Sequence, residues 1–172
     1  AAAVVLLSSM FLHGGWLHLG GNMLYLWIFG DNVEDLLGHF RFLGFYLLSG
    51  LAAMLAHAYF LPDSTAPAIG ASGAIAGVLG AYLLNFPGAR VYVLLPLFIF
   101  FPVITIPAFF MLGFWFLQQL FNGLIAVAEP GFTQVAWWAH IGGFMAGMVL
   151  VKLMAKRKKA LFLVFQAFSL VL

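Results

Sequence analysis

The sequence predicts an all-α membrane protein, a polytopic bundle of about five complete transmembrane helices. Of the 172 residues 65% are hydrophobic and only 7% charged, and the mean hydropathy is +1.12. Soluble domains carry about a quarter charged residues, so this composition excludes a soluble enzyme. The apolar runs are continuous rather than alternating, which argues against a β-barrel. Because each span needs roughly 20 residues, the length allows one bundle and no second domain.

The expected spans follow one another with short breaks. Residues 1–15 are predicted to form a loop or interfacial segment, residues 16–155 the transmembrane domain, and residues 156–172 a basic stop-transfer segment with a truncated apolar tail. Glycines, prolines and polar turns separate the apolar runs. These breaks predict spans at about 16–36, 40–61, 70–86, 102–126 and 136–153.

One stretch leaves the helical register ambiguous. The run 91–107 is apolar, but Pro96, Pro102 and Pro107 interrupt it. Proline is disfavoured inside a helix because it lacks a donor and clashes with the preceding turn. We therefore begin the fourth span at Pro102.

The basic residues predict the orientation in the membrane. If the spans alternate, all seven Lys and Arg residues fall on one side, whereas Asp63 and Glu129 lie on the other. Lysines and arginines that flank spans stay on the cytoplasmic side. This predicts a multi-pass protein of a bacterial-type plasma membrane with a cytoplasmic C-terminal segment. The basic cluster at 156–159 is then an ordinary anchor, and nucleic-acid binding is not expected.

Ser72 and His140 lie at matching depths near the non-cytoplasmic ends of two spans. Taken alone, a serine among small residues is typical of a helix contact in lipid. Together they supply a nucleophile candidate and a base candidate, because a neutral imidazole can take the proton of a hydroxyl that attacks a carbonyl. The only acids on that side, Asp63 and Glu129, sit in loops. The sequence therefore favours a Ser–His dyad.

Small residues recur at every fourth position on the helices that carry this pair. Such spacing lets two backbones approach closely, and as an isolated pattern it indicates only helix packing. Here it also brings the serine and the histidine within reach. The residues are Gly73, Gly77 and Ala81 on the third span, and Ala139, Gly143 and Gly147 on the fifth.

His18 and Asn22 are four residues apart and therefore share one face of the first span. A ring N–H and an amide N–H are suitable donors for an oxyanion, and the backbone N–H of Ser72 near a helix start adds a third. The simpler interpretation is a polar pair that joins helices. Polar side chains inside a membrane are often functional as well as structural, so both interpretations stay open.

These motifs, in this order, resemble the rhomboid family of intramembrane serine proteases. The resemblance rests on HxxxN at 18–22, GxSG at 70–73 and AHIGG at 139–143. It implies cleavage of transmembrane protein substrates at or just inside the lipid bilayer, without metal or cofactor. The roles it implies are Ser72 as nucleophile, His140 as general base, His18, Asn22 and the Ser72 N–H as oxyanion donors, and Gly70, Gly73, Gly143 and Gly147 as motif glycines.

The chain also departs from the family pattern. The family core has six helices, and by this resemblance the chain starts after the first. Some members carry a tyrosine one turn after the serine that stacks on the catalytic histidine, but here this residue is Ala76. Other neighbours must then orient His140. The resemblance further implies that residues 109–120 belong to a helix gating substrate entry and that residues 127–135 form a cap loop.

Two other classes of function remain open. A rhomboid-like pseudoprotease would bind membrane clients without cleaving them, although retention of both Ser72 and His140 argues against it. A transporter or channel would need polar positions through the whole membrane thickness, whereas here they gather near one face. Cysteine is absent from the sequence, which excludes thiol chemistry.

The other histidines and one acid have simpler interpretations. His13 and His39 are predicted to be interfacial, and His57 to be a polar contact facing the bundle. None of them pairs with a second ligand at a spacing typical of a metal site. Glu34, at the cytoplasmic end of the first span, is most simply a structural hydrogen-bond acceptor.

Overall fold

The computed structural model describes residues 2–64, 68–95, 98–129 and 135–155, and it confirms a helical bundle. Three of the described helices, His39–Phe60, Ala108–Ala128 and Trp137–Met154, are long and apolar enough to cross a membrane by length and composition, whereas Ser72–Asn85 is apolar but only 14 residues long. The elements are α1 (Ala2–Ser9), α2 (Trp16–Leu37), α3 (His39–Phe60), α4 (Ser72–Asn85), β1 (Arg90–Leu94), β2 (Val103–Pro107), α5 (Ala108–Ala128) and α6 (Trp137–Met154).

The segment before the first predicted span contains the short helix α1 and packs on the bundle. Met10 is buried, and its side chain lies against Gly50 of α3. The carbonyl oxygen of Ser9 accepts a hydrogen bond from the N–H of Gly70 at 2.9 Å. The N-terminal residues therefore help to hold the turn that leads into α4.

The predicted start of the fourth span at Pro102 is wrong. The residues after it form β2, which pairs antiparallel with β1, with Tyr92 opposite Thr105. The two strands are rich in valine and isoleucine, which suit a pleated surface. Helix α5 begins only after Pro107, and the N–H of its first residue, Ala108, donates to the carbonyl of Ala89 at 2.8 Å.

Helix α4 lies at the centre of the bundle, and every residue from Gly73 to Tyr82 is buried. Its backbone touches that of α6 directly. A Cβ atom added at Gly143 would overlap the carbonyl oxygen of Gly73, and one added at Gly147 would overlap that of Gly77. The close approach predicted from the small residues is therefore confirmed.

Arg41 links the start of α3 to the end of α6. Its guanidinium donates to the carbonyl oxygen of Met154 at 3.1 Å, and a cation is favourable at a helix C-terminus. The first turn of α6, which carries His140, therefore lies at the end of the bundle away from Arg41.

Helices α2 and α3 are joined through Gly38, whose φ of 82° is a conformation that glycine adopts readily. Across this break, Nδ1 of His39 and a carboxylate oxygen of Glu34 are 2.5 Å apart. The predicted role of Glu34 as a structural acceptor is confirmed.

Several predicted features lie outside the described residues. They are the basic stop-transfer segment with its apolar tail at 156–172 and, within the predicted cap loop, residues 130–134.

Candidate active site

Ser72 and His140 meet at the starts of α4 and α6. Ser72 is the first residue of α4, and His140 lies in the first turn of α6. The Nε2 atom of His140 is 2.9 Å from the Ser72 hydroxyl oxygen, and both residues are partly buried. The structure thus brings the predicted nucleophile and base candidates into hydrogen-bond contact.

The second ring nitrogen of His140 contacts Gln119 of α5, a residue that sequence reasoning missed. Nδ1 of His140 is 2.8 Å from Oε1 of Gln119, which is only 3% exposed. The amide nitrogen of Gln119 donates to the carbonyl oxygen of Trp115 at 3.2 Å. Because only the amide nitrogen can donate to that carbonyl, the amide oxygen faces the histidine.

This arrangement determines which nitrogen of His140 carries the proton. An amide oxygen can only accept, so Nδ1 of His140 is protonated and donates to Gln119. The lone pair of Nε2 then points to Ser72 and accepts from its hydroxyl. His140 is held in the tautomer that a general base requires.

Two aromatic rings lie next to His140, whereas the position one turn after Ser72 carries an alanine. Ala76 is buried one turn after Ser72. The ring centroid of Trp115 lies 5.9 Å from that of His140 with the planes tilted by 35°, and the ring of Trp137 lies at 6.2 Å and perpendicular to it. The imidazole is therefore confined by two tryptophans and by Gln119.

Gly70 lies against the other side of the site. Its φ of +115° is a conformation that residues with a side chain rarely adopt. An added Cβ would lie 2.9 Å from Nε2 of His18 and 3.7 Å from Nδ2 of Asn22. The GxSG turn thus brings the chain just before Ser72 against the two predicted oxyanion donors.

His18 holds the opposite tautomer to His140. The backbone N–H of Gly14 donates to Nδ1 of His18 at 3.3 Å, so Nδ1 is the unprotonated nitrogen and Nε2 carries the hydrogen. The His18 ring is exposed at the start of α2. Its Nε2–H is available as a donor next to Gly70.

Asn22 carries a buried donor that lacks a partner. The residue is 6% exposed, and among the described residues its Nδ2 atom has no hydrogen-bond partner. Leaving a buried polar group unpaired costs about 1–3 kcal/mol, so such groups are uncommon in folded proteins. This free donor lies near Gly70, two residues before Ser72, where it can bind an acceptor group.

The remaining polar groups of the described residues form no second centre of this kind. Asp63 and Glu129 are exposed, while His57 is partly buried and its Nδ1 atom has no partner in the described part of the chain. The ring of His13 contacts that of His18 edge-on at 5.3 Å. Among residues 2–64, 68–95, 98–129 and 135–155, no group of three His, Cys, Asp or Glu could hold a metal ion.

Residues 2–157 match the model of the Rhomboid domain. Over 153 residues the chain is 33% identical to Rhomboid protein 1, mitochondrial, of Saccharomyces cerevisiae. This match covers 85% of this chain and 40% of that protein. It is 30% identical over 152 residues to the Presenilin-associated rhomboid-like protein, mitochondrial, of Mus musculus, covering 83% of this chain and 36% of that protein.

A shorter match has higher identity. Over 78 residues the chain is 46% identical to Rhomboid protease GluP of Bacillus subtilis, covering 45% of this chain and 15% of that protein. The chain spans less than half the length of each of these relatives. The family model nevertheless covers nearly all of the chain, and so the chain belongs to the rhomboid family.

Proposed function

We propose that this chain is an intramembrane serine endopeptidase that hydrolyses peptide bonds of membrane-anchored proteins at or just inside the bilayer. The observation that carries the proposal is the 2.9 Å contact between Nε2 of His140 and the hydroxyl of Ser72. Family membership and the similarity to a relative named as a protease support it. The two groups form the catalytic dyad of the proposed enzyme.

In the first step, the Ser72 oxygen attacks the carbonyl carbon of the scissile bond while its proton passes to Nε2 of His140. The negative charge that develops on the carbonyl oxygen is stabilised by donors already aimed at it. In this chain the proposed donors are Nε2–H of His18, Nδ2–H of Asn22 and the backbone N–H of Ser72. This last N–H belongs to the first turn of α4, whose N–H groups have no partner within the helix.

The tetrahedral intermediate then collapses. The carbon–nitrogen bond breaks, and His140 gives its Nε2 proton to the leaving amine, which leaves an ester on Ser72. A water molecule attacks this ester as His140 again accepts a proton. Return of that proton to the serine oxygen releases the acid product and restores the free site.

The proposed membrane orientation places the site near the non-cytoplasmic face of a bacterial-type plasma membrane. Arg41 and the end of α6 lie at the opposite end of the bundle from His140, and basic residues favour the cytoplasmic side. A site close to one face can receive water without a channel through the bilayer. Two of the relatives are named as mitochondrial, so organelle membranes are a second setting to test.

A fluorophosphonate probe tests the activated serine directly. We expect the purified protein in liposomes to be labelled, and Ser72→Ala and His140→Ala to lose the label. Ser49→Ala is the matched control because it removes a buried hydroxyl of α3 outside the site, and its labelling should persist. Circular dichroism of each variant establishes that the helices are intact.

Cleavage needs its own measurement. Protein that has not been exposed to the probe is incubated with a panel of single-span membrane proteins, and new termini are identified by mass spectrometry. Cuts that depend on Ser72 and lie within or beside the span support the proposal. A folded chain that neither reacts with the probe nor cuts any substrate contradicts it and favours a rhomboid-like pseudoprotease that binds clients.

A further inference from the structure

The geometry points to Gln119 as a positioning residue that fixes the tautomer and the orientation of His140 through its amide oxygen. The inference rests on the proposed function, in which His140 acts as the base. It assigns a specific task to an uncharged residue of a third helix.

Both the nitrogen and the oxygen of the Gln119 amide form hydrogen bonds. Its nitrogen donates to the carbonyl of Trp115 on the preceding turn of the same helix, and its oxygen faces Nδ1 of His140. Rotating the amide by half a turn would set its oxygen against the Trp115 carbonyl and its nitrogen against the histidine. The backbone carbonyl therefore selects the orientation of the amide, and the amide selects the tautomer of the imidazole.

Burial of Gln119 strengthens the preference of His140 for the tautomer in which Nδ1 is protonated. Gln119 is 3% exposed, so water does not compete for its oxygen, and an unpaired polar group at this place would be costly. The alternative tautomer of His140 would bring two acceptors together and direct an N–H toward Ser72. A ring in that state cannot take the serine proton.

The contacts form one directional chain across three helices. The hydroxyl of Ser72 on α4 donates to His140 on α6, His140 donates to Gln119 on α5, and Gln119 donates to Trp115. Each donor is polarised by the acceptor that follows it. A neutral side-chain amide can form part of such a chain in an apolar bundle, where a carboxylate would carry the cost of a buried charge.

The neighbouring residue supplies the control. Gln118 has the same side chain and lies one position earlier on α5, but it is exposed. Gln118→Leu therefore makes the same chemical change outside the site. Gln119→Leu removes the acceptor, and Gln119→Glu retains an acceptor for Nδ1–H at nearly the same position.

The first readout is the tautomer itself. In protein labelled with ¹⁵N at histidine, the ring nitrogen resonances of His140, assigned by their loss in His140→Ala, should report a protonated Nδ1 in the unmodified chain. Gln119→Leu should shift them to a mixture of tautomers or to a protonated Nε2. Gln119→Glu and Gln118→Leu should keep Nδ1 protonated.

The second readout is the kinetics of peptide cleavage. General-base catalysis contributes about 10²–10⁴-fold, so we expect Gln119→Leu to lower kcat by about 10²-fold while KM changes less than twofold. Gln119→Glu should recover part of that loss, and Gln118→Leu should match the unmodified chain. Unchanged His140 resonances in Gln119→Leu would overturn the inference even if activity fell.

The two proposals fail in different ways. Full kcat in Gln119→Leu, with labelling that still requires Ser72, refutes the positioning role and leaves the protease intact. A protonated Nδ1 that depends on Gln119, in a chain that does not cut, supports the positioning role and refutes the protease.

Discussion

His18, which lies against Gly70, and His140, which contacts Ser72, hold opposite tautomers. The N–H of Gly14 donates to Nδ1 of His18, whereas Nδ1 of His140 donates to Gln119. As a result, Nε2 of the first ring is a donor and Nε2 of the second is an acceptor. Histidine thus supplies a hydrogen-bond donor at one position and an acceptor at the other. In each ring, the hydrogen bond at Nδ1 indicates which of the two Nε2 is.

Substitution of Asn22 should lower activity without lowering stability. We expect Asn22→Ala to lower kcat by about 10²–10³-fold, the usual effect of losing one oxyanion donor. The melting temperature should stay the same or rise, because the described structure gives its Nδ2 atom no partner to lose. Cleavage rates and thermal unfolding in detergent measure the two effects.

Asn85 is the matched asparagine for that experiment. Its amide donates to the carbonyl of Ala81 at 2.7 Å on the far part of α4. Asn85→Ala should lose about 1 kcal/mol of stability and keep full activity. A large drop in melting temperature for Asn22→Ala would count against a donor held free for the substrate.

The glycine contacts between α4 and α6 should be sensitive to a single methyl group. Gly143→Ala sets a Cβ atom into the carbonyl oxygen of Gly73, and overpacking of this kind costs about 1–3 kcal/mol or more. We expect lower stability and weaker probe labelling together. Gly113→Ala on α5, where nothing lies within 4 Å, should be neutral or stabilise by about 0.5–1 kcal/mol.

Gly70 is constrained by both its backbone and its neighbours. Gly70→Ala combines a disfavoured φ of +115° with contact between the new methyl group and His18. Backbone strain of this kind costs about 1–3 kcal/mol, and displacement of the ring should lower kcat beyond the effect on folding. Gly88→Ala, which meets no atom within 4 Å, is the control; equal kcat in both variants would contradict the close approach to His18.

Two adjacent tryptophans offer a test of how α5 is tied to α6. The indole N–H of Trp138 donates to the carbonyl of Gly123 at 2.9 Å in a buried setting. The indole nitrogen of Trp137 has no hydrogen-bond partner in the described part of the chain. Trp138→Phe should therefore lower the free energy of unfolding by about 1–3 kcal/mol, and Trp137→Phe by less. Equal losses in chemical denaturation would show that the hydrogen bond contributes little.

The arrangement of the four motif residues could be anticipated from the sequence because each motif is local. The spacing of His18 and Asn22 sets them on one face of a helix, and the small residues near Ser72 and His140 indicate where two backbones can touch. Membrane burial of the small-residue faces then leaves few ways to pack them. The structure brings these side chains to one end of the bundle as expected.

Gln119 could not be identified in the same way. The third member of a catalytic triad is ordinarily an acid, whereas α5 carries two adjacent glutamines. Which of them faces His140 depends on the rotation of that helix about its axis, and the spacing of apolar residues in a helix that is hydrophobic all round does not define it. An uncharged polar residue within a span is nevertheless a signal worth following.

The hairpin was missed for a related reason. Periodicity alone does not distinguish a short apolar run in a strand from one in a helix. The sequence predicts that a span begins at Pro102, whereas in the structure Pro107 ends β2 and immediately precedes α5. In a membrane protein, a short run of valine and isoleucine between closely spaced prolines can therefore indicate a strand as well as a helix.

The contact between the glycines of α4 and α6 has a consequence for how the proposed activity would be lost on heating. The opposed atoms belong to the main chain, so no change of side-chain rotamer can loosen the contact in small steps. The distance between Ser72 and His140 is therefore tied to the backbone contact between the two helices that carry them. Thermal inactivation and the loss of tertiary structure should follow one curve, without an accumulating population of folded but inactive molecules.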